Sequence, residues 1–249
     1  GWWRETAQRL LFERQDRSVV ADLQRLVRGG RTPQSRLHAL WTLDGLQSLT
    51  TDDLLAGLND AAAEVRENAV LLAEARLADE AVLAAVLRAA DDAAARVRFQ
   101  TAFTLGETQD PRAVAALAKI ARRDAADPWT RTAVLSSVAE TGDRLLADLL
   151  TDGPFVAAPT SAEMLRELSQ MLGARGQPEV LYRAGGGAPG HLARQRAADD
   201  FSRRDRRAGA GFGVEPVCAA VFVFVQIPVF RRHVVVRTGH LHAARAAHV

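Results

Sequence analysis

Cysteine occurs once, at Cys218, in a chain of 249 residues. A single thiol excludes an intrachain disulfide framework, a zinc site built on cysteine pairs, and the CxxCH motif of covalent haem attachment. Lysine is equally scarce, since 31 arginines stand beside Lys119 alone. That bias has the look of a GC-rich coding sequence and is no evidence for phosphate binding. Aromatic residues contribute 6% against 48% hydrophobic overall, so the core must be mainly Ala, Leu and Val. Such a core suits closely packed helices better than a β-sandwich. There is no signal-peptide pattern and no apolar run long enough to span a bilayer. The sequence opens at Gly1 and reads as an internal piece of something longer.

What is present is a rhythm. Arg4, Arg36, Arg66, Arg98, Arg131 and Arg166 recur at intervals of 32, 30, 32, 33 and 35 residues. Each sits in a similar phrase: WRETAQRLL, SRLHALWTL, VRENAVLLA, VRFQTAFTL, TRTAVLSSV and LRELSQMLG. A mostly small residue follows three positions later (Ala7, Ala39, Ala69, Thr101, Val134, Ser169), letting adjacent helices approach closely. Leu11, Leu43, Ala73, Leu105, Val138 or Gly173 follows at the seventh. A period of 30 to 35 residues with helical spacing inside each unit predicts an all-α fold, an α-solenoid of about five to six helical pairs. One pair cannot bury a stripe such as Ala69, Leu72 and Ala73, broadened by Val70 and Leu71, but neighbours on both sides can. Nothing chemical recurs with the period, which argues against an enzyme.

The second helix of each unit is expected at Val19–Val27, Asp53–Leu58, Ala81–Ala89, Arg112–Arg122 and Arg144–Leu150. Thr32-Pro33, Asp110-Pro111 and Asp127-Pro128 place a capping oxygen before a proline at the first helical position. Thr160 with Glu163 has capping-box spacing. Gly29-Gly30, Gly106 and Gly142 are expected helix ends.

Near residue 183 the pattern changes. Residues 1–182 read as the solenoid, and residues 183–249 as a low-complexity basic tail rich in Gly, Arg and Ala, with a β-prone stretch after it. Two readings of the tail compete: a linker followed by a short strand pair, or an out-of-frame reading of GC-rich DNA, of which the second is preferred; little stable structure is expected either way. The tail carries eleven arginines against Asp199, Asp200, Asp205 and Glu215, a local excess of +7. Because the whole chain sums to +2, residues 1–182 carry −5. The pI of about 9.3 therefore belongs to the tail, and the body gives no support to nucleic-acid binding.

The recurring arginines allow two roles. They could form an anion-binding ridge, or an internal ladder in which each guanidinium meets a turn aspartate or helix-end carbonyls. Asp60 lies six residues before Arg66 and Asp92 six before Arg98, so an acidic turn recurs beside the arginines. Pairing along the stack satisfies those groups, and the ladder is the preferred reading. Other candidates are dismissed. His233, His240, His242 and His248 lack the rigid surroundings of a metal site, and His191 is equally isolated. Gly209-Ala-Gly211-Phe-Gly213 has the wrong spacing for a dinucleotide loop and follows no strand. Cys218 has no activating neighbour. His38 is expected to pack or cap, and Trp2, Trp3, Trp41 and Trp129 to serve as core and capping bulk. No catalytic residue, metal or cofactor is expected in this chain.

The phrases DAAAEVRENAVLLA and DAAARVRFQTAFTLGETQDPRAVAALAKIARRD resemble HEAT repeats of the PBS-lyase type, over residues 1–182. More narrowly, GWWRETAQRLLFER, SRLHALWTLDGL, VRFQTAFTLGE and DPWTRTAVLSS resemble the HEAT segment of large exported bacterial dehydrogenase-like proteins, common in planctomycetes. In those proteins a glucose/sorbosone-dehydrogenase-type propeller precedes the segment and a c-type cytochrome domain follows it. The resemblance implies a scaffold contacting proteins or neighbouring domains, with no nucleic acid partner and no membrane insertion. Its rivals are a phycobilin-lyase-like protein holding a bilin, and a basic nucleic-acid-binding solenoid.

Overall fold

The computed structural model describes residues 2–174. The expectations for residues 183–249, including Cys218, the five tail histidines and the glycine cluster at 209–213, lie outside the described residues.

Among the described residues there are twelve α-helices: α1 (Trp2–Arg14), α2 (Val20–Gly29), α3 (Pro33–Gly45), α4 (Thr51–Leu58), α5 (Ala63–Ala73), α6 (Glu80–Ala89), α7 (Ala95–Gly106), α8 (Arg112–Asp124), α9 (Pro128–Ser137), α10 (Gly142–Leu150), α11 (Gly153–Ala157) and α12 (Ala162–Ala174). The second helix of each pair lies within two residues of its expected ends. Odd-numbered α1 to α9 pack in sequence as one layer, and even-numbered α2 to α10 as the other. The fold is an all-α solenoid of stacked helical pairs. The small residues of the arginine phrase explain the close stacking, since Ala39, Ala69, Thr101 and Val134 are all buried. Leu43, Ala73, Leu105 and Val138, four residues on, are buried with them. Burial of these stripes on both sides stabilises the stack by roughly 25 cal/mol per Å² of apolar surface removed from water.

Punctuation is partly as expected. Thr32 and Asp127 cap α3 and α9 by accepting from Ser35 N and Thr130 N, each with proline in the first turn. Asp110 accepts from Arg112 N at 2.9 Å at the start of α8. Two expectations fail. Gly142 begins α10 and is buried, because a Cβ there would meet Met171 Cε at 2.8 Å where α12 packs across. The Thr160/Glu163 capping box does not form: residues 159–161 are a 3₁₀ turn, and Glu163 pairs with Arg166 at 2.6 Å. A complete capping box joins Thr50 and Asp53 instead. Two left-handed helix stops are glutamines, Gln15 (φ 50°) and Gln47 (φ 54°). Around Gln47, Ser48 N donates to Leu43 O and Gln47 N to Asp44 O, the paired bonds of a Schellman motif.

The tryptophans divide. Trp41 is half-buried against the core and donates Nε1–H to Asn68 Oδ1 at 3.0 Å, tying α3 to α5. Trp2, Trp3 and Trp129 are 65%, 79% and 67% exposed, so these three are surface groups and not core bulk.

Candidate functional site

The recurring arginines and their carboxylates form the most ordered polar feature of the stack. Arg36 in α3 reaches across to the turn before α5, donating Nε–H and Nη2–H to Asp60 at 2.5 and 2.7 Å. Arg66 in α5 grips Asp92 the same way at 2.6 and 2.8 Å, and Arg98 in α7 grips Asp124 at 2.6 and 2.6 Å. Each pair is bidentate, the geometry that a planar guanidinium offers a carboxylate. The remaining Nη1–H of each arginine turns back to its own unit, Arg36 to Gly30 O, Arg66 to Asp60 O, and Arg98 to Asp92 O, all within 2.8 Å. Asp60 thus serves two arginines, Arg36 by its side chain and Arg66 by its backbone. Asp92 does likewise for Arg66 and Arg98. Each aspartate also accepts the N–H two residues on, from Ala62 and Ala94 at 2.8 Å, which holds the turn into the next helix.

The rungs are largely dry. Arg98 is 4% exposed, and the Asp60 and Asp92 side chains 7% and 11%. Burial alone raises the Asp60 carboxyl, but the hydrogen bonds from Arg36 and Ala62 and the charges of Arg36 and Arg66 outweigh it. Asp60 is held below the usual carboxylate range. At Asp92 the Arg66 hydrogen bond is the largest influence, and the net direction is again downward.

The ladder does not run the full length. Six residues before Arg36 stands Gly30, and six before Arg166 stands Thr160, so no turn carboxylate is offered at either place. Arg4 is accordingly exposed and outside the ladder. Arg131 keeps its backbone bond to Ala125 O at 3.0 Å but reaches Glu167 of α12 only at 3.4 Å. Arg166 pairs within its own helix, with Glu163.

Other linkages were not legible from the arginine phrase. Asp124 was missed because it lies seven residues before Arg131, although the equal spacing of Asp60, Asp92 and Asp124 was a usable signal. In the second layer, Arg122 binds Asp148 at 2.6 Å and Asp152 at 3.1 Å, and Lys119 binds Asp91 at 2.7 Å. Asp53 is fully buried at the start of α4. It accepts from Thr50 Oγ1 at 2.6 Å and Gln24 Nε2 at 2.9 Å, and faces Arg28 Nη2 at 2.7 Å. One carboxylate therefore caps α4 and ties it to α2. His38 Nδ1 lies 2.6 Å from Gln8 Oε1, linking α3 to α1, and burial followed by the charge of Arg4 pushes its pKa down. Glu74, accepting from Thr104 Oγ1 at 3.1 Å, is pushed up by burial.

Concavities along the described residues include these two. One, of about 280 Å³, is a shallow groove between α7 and α9 lined by Arg96, Phe99, Asp127 and Trp129. The other, of about 260 Å³, is a more enclosed cleft where the α7–α8 and α9–α10 turns meet. Among the described residues no group of three His, Cys, Asp or Glu side chains is placed to hold a metal ion, and no helix is long and apolar enough to cross a membrane.

Neither the curated proteins nor the solved structures give a significant match to this chain. Residues 51–139, from the start of α4 through α9, match the family of HEAT repeats and form a HEAT-repeat region within the helical stack.

Proposed function

We propose that the stack is a non-catalytic scaffold for protein–protein or interdomain contact. The observation that carries this is where its charges go. Three of the six recurring arginines, Arg36, Arg66 and Arg98, and the aspartates that meet them are committed to one another between units at 2.5–2.8 Å. They hold successive pairs in register. The outer positions of the first layer meanwhile present Trp129 and the edges of Phe99 and Phe103. A rigid array with large side chains on its surface recognises by extended contact and performs no chemistry of its own.

The phrases shared with the HEAT segment of exported dehydrogenase-like proteins support a finer reading, in which the array spaces or docks redox modules. Reading the flanking coding DNA in all frames tests it. A propeller upstream and a CxxCH domain downstream are expected, and finding neither defeats the redox reading. The scaffold itself is tested by titrating the chain with whichever domains flank it. Saturable binding that the exposed Trp129→Ala variant weakens at unchanged melting temperature is expected. Absence of binding to either domain, or a visible spectral shift on mixing with a bilin, refutes it in favour of the chromophore-holding alternative.

A further inference from the structure

The outward face of the first layer differs in chemistry from the rest of the stack. Residues one and five positions after each recurring arginine lie on the side of the helix opposite the buried residue at the third. In α3, α5 and α7 they are Leu37 and Trp41, Glu67 and Leu71, and Phe99 and Phe103. Apart from Glu67 all are apolar, and each is only partly covered. The row is continuous from unit to unit. Trp41 reaches over α5 to Asn68, the Phe99 and Phe103 rings meet edge to face at 5.1 Å, and the open groove beside Phe99 runs to Trp129 of α9, 67% exposed.

Acids border this row. Asp44, Glu74 and Glu107 stand at the C-terminal ends of α3, α5 and α7, Glu140 lies just past α9, and Glu64 and Glu67 lie along α5. Against these six carboxylates the same face sets Arg96, held by Glu67 at 2.5 Å, and Arg76, 3.5 Å from Asp44. A helix C-terminus is the negative end of the macrodipole and favours cations. In the second layer α2, α6 and α8 carry arginine in their last turn, whereas α3, α5, α7 and α9 carry no basic residue there. Thr104 and Gln100 donate to Glu74, whose carboxyl is pushed up by burial and further by the charge of Glu107. Glu107 itself is exposed and forms no ion pair among the described residues.

From this apolar row and its acidic borders, we infer that the outer face of α3 to α9 docks a basic amphipathic helix. Neighbouring packed helices lie about 8–10 Å apart, and two turns of a ligand helix advance about 11 Å. A helix laid across the layer therefore brings an apolar side chain over each unit in succession, towards Trp41, Leu71 and Phe103, and the last into the groove beside Trp129. Lys and Arg residues on its flanks meet the carboxylates. The inference rests on the scaffold reading and adds the chemistry of the partner.

The probe is a labelled synthetic peptide of about 18 residues with leucines at the spacing of one helix face and lysines between them, titrated into the full chain and followed by fluorescence anisotropy. Saturable binding with a Kd on the order of 10 μM is expected. The same residues in scrambled order, or with Glu in place of Lys, should bind at least about tenfold more weakly. Trp129→Ala should weaken the patterned peptide about tenfold and Glu107→Lys about fivefold, both at unchanged melting temperature because both residues are exposed. Asp52→Lys, the same charge change at an exposed position of the second layer, should leave the Kd unchanged. Equal binding of patterned and scrambled peptides, or equal effects of Glu107→Lys and Asp52→Lys, overturns the inference. Flanking domains that bind the chain where the patterned peptide does not overturn the basic helix alone and leave the scaffold reading standing.

Discussion

Removing the central rung is the sharpest test of how the stack is held. In Arg98→Ala the Asp124 carboxylate, 13% exposed, loses two bonds of 2.6 Å, and Asp92 O and Ala93 O lose the Nη1–H they share. Breaking one side of a buried ion pair costs about 3–5 kcal/mol, because the surviving charge is left without a partner. Unpaired carbonyls would add about 1–3 kcal/mol each if they stayed dry, but the vacated space admits water, so about 4 kcal/mol is a fair total. Set against a whole-domain stability of about 5–15 kcal/mol, that is a large loss. At a urea m-value of roughly 2 kcal/mol per M the unfolding midpoint falls by roughly 2 M. The assay is equilibrium urea unfolding followed by circular dichroism, with hydrogen exchange to locate the damage. Protection should drop first in α7 to α9, since a repeat array transmits stability through nearest neighbours. Two comparisons make the test specific. Lys119→Ala, which breaks the exposed Lys119–Asp91 pair, should leave the midpoint within error. Arg98→Met with Asp124→Leu should be less destabilised than Arg98→Ala, since an apolar pair replaces charges that needed each other. A fall of under roughly 0.3 M in Arg98→Ala, or additivity in the double variant, would show that the rung does not hold the units together.

Other outcomes follow from the same structure. Asp60 and Asp92 titrate below their ordinary value of 3.8, so the stability they contribute is present above that pH and is lost as pH falls through their folded pKa. Acid titration should show a plateau at neutral pH and unfolding that begins below about pH 4, shifted upward in Arg66→Ala, since Arg66 binds the Asp92 carboxylate and its charge also acts on Asp60. Asp53→Ala should cost about 1–2 kcal/mol by thermal or urea melting, because it uncaps α4 and removes the acceptor of Gln24 and Thr50, while the half-exposed Arg28 guanidinium stays solvated. Gly57→Ala should lower stability by about 1 kcal/mol despite better helix propensity, as its Cβ would lie 2.8 Å from Leu40 Cδ1 and 3.0 Å from Ala69 Cβ. Gly29→Ala, with nothing within 4 Å, should raise it by up to about 1 kcal/mol. Gln47→Gly should stabilise by about 1 kcal/mol, since Gln47 holds φ 54° at a helix stop where glycine carries no penalty; an unchanged melting temperature would count against that.

The amino-acid sequence by itself determined the helices, their pairing and the period of the stack. Helix formation rests on local spacing, and the small residue three positions after each arginine announces a close neighbour whatever its identity. It could also place acidic turns at Asp60 and Asp92, because their offset from the following arginine is constant. What it could not give is which carboxylate each guanidinium meets. Arg36 gives Nη1–H to the nearby Gly30 O, but its carboxylate partner is Asp60, 24 residues on, since only stacking brings that turn within reach. Arg4 and Arg166 carry the same phrase but stand outside the ladder, because a rung needs a partner from the next unit as well as its own motif. The burial of Asp53 and the groove between α7 and α9 were likewise settled only in three dimensions. Both depend on what neighbouring units place opposite a residue, and a chain read in one dimension records the residue without its neighbour.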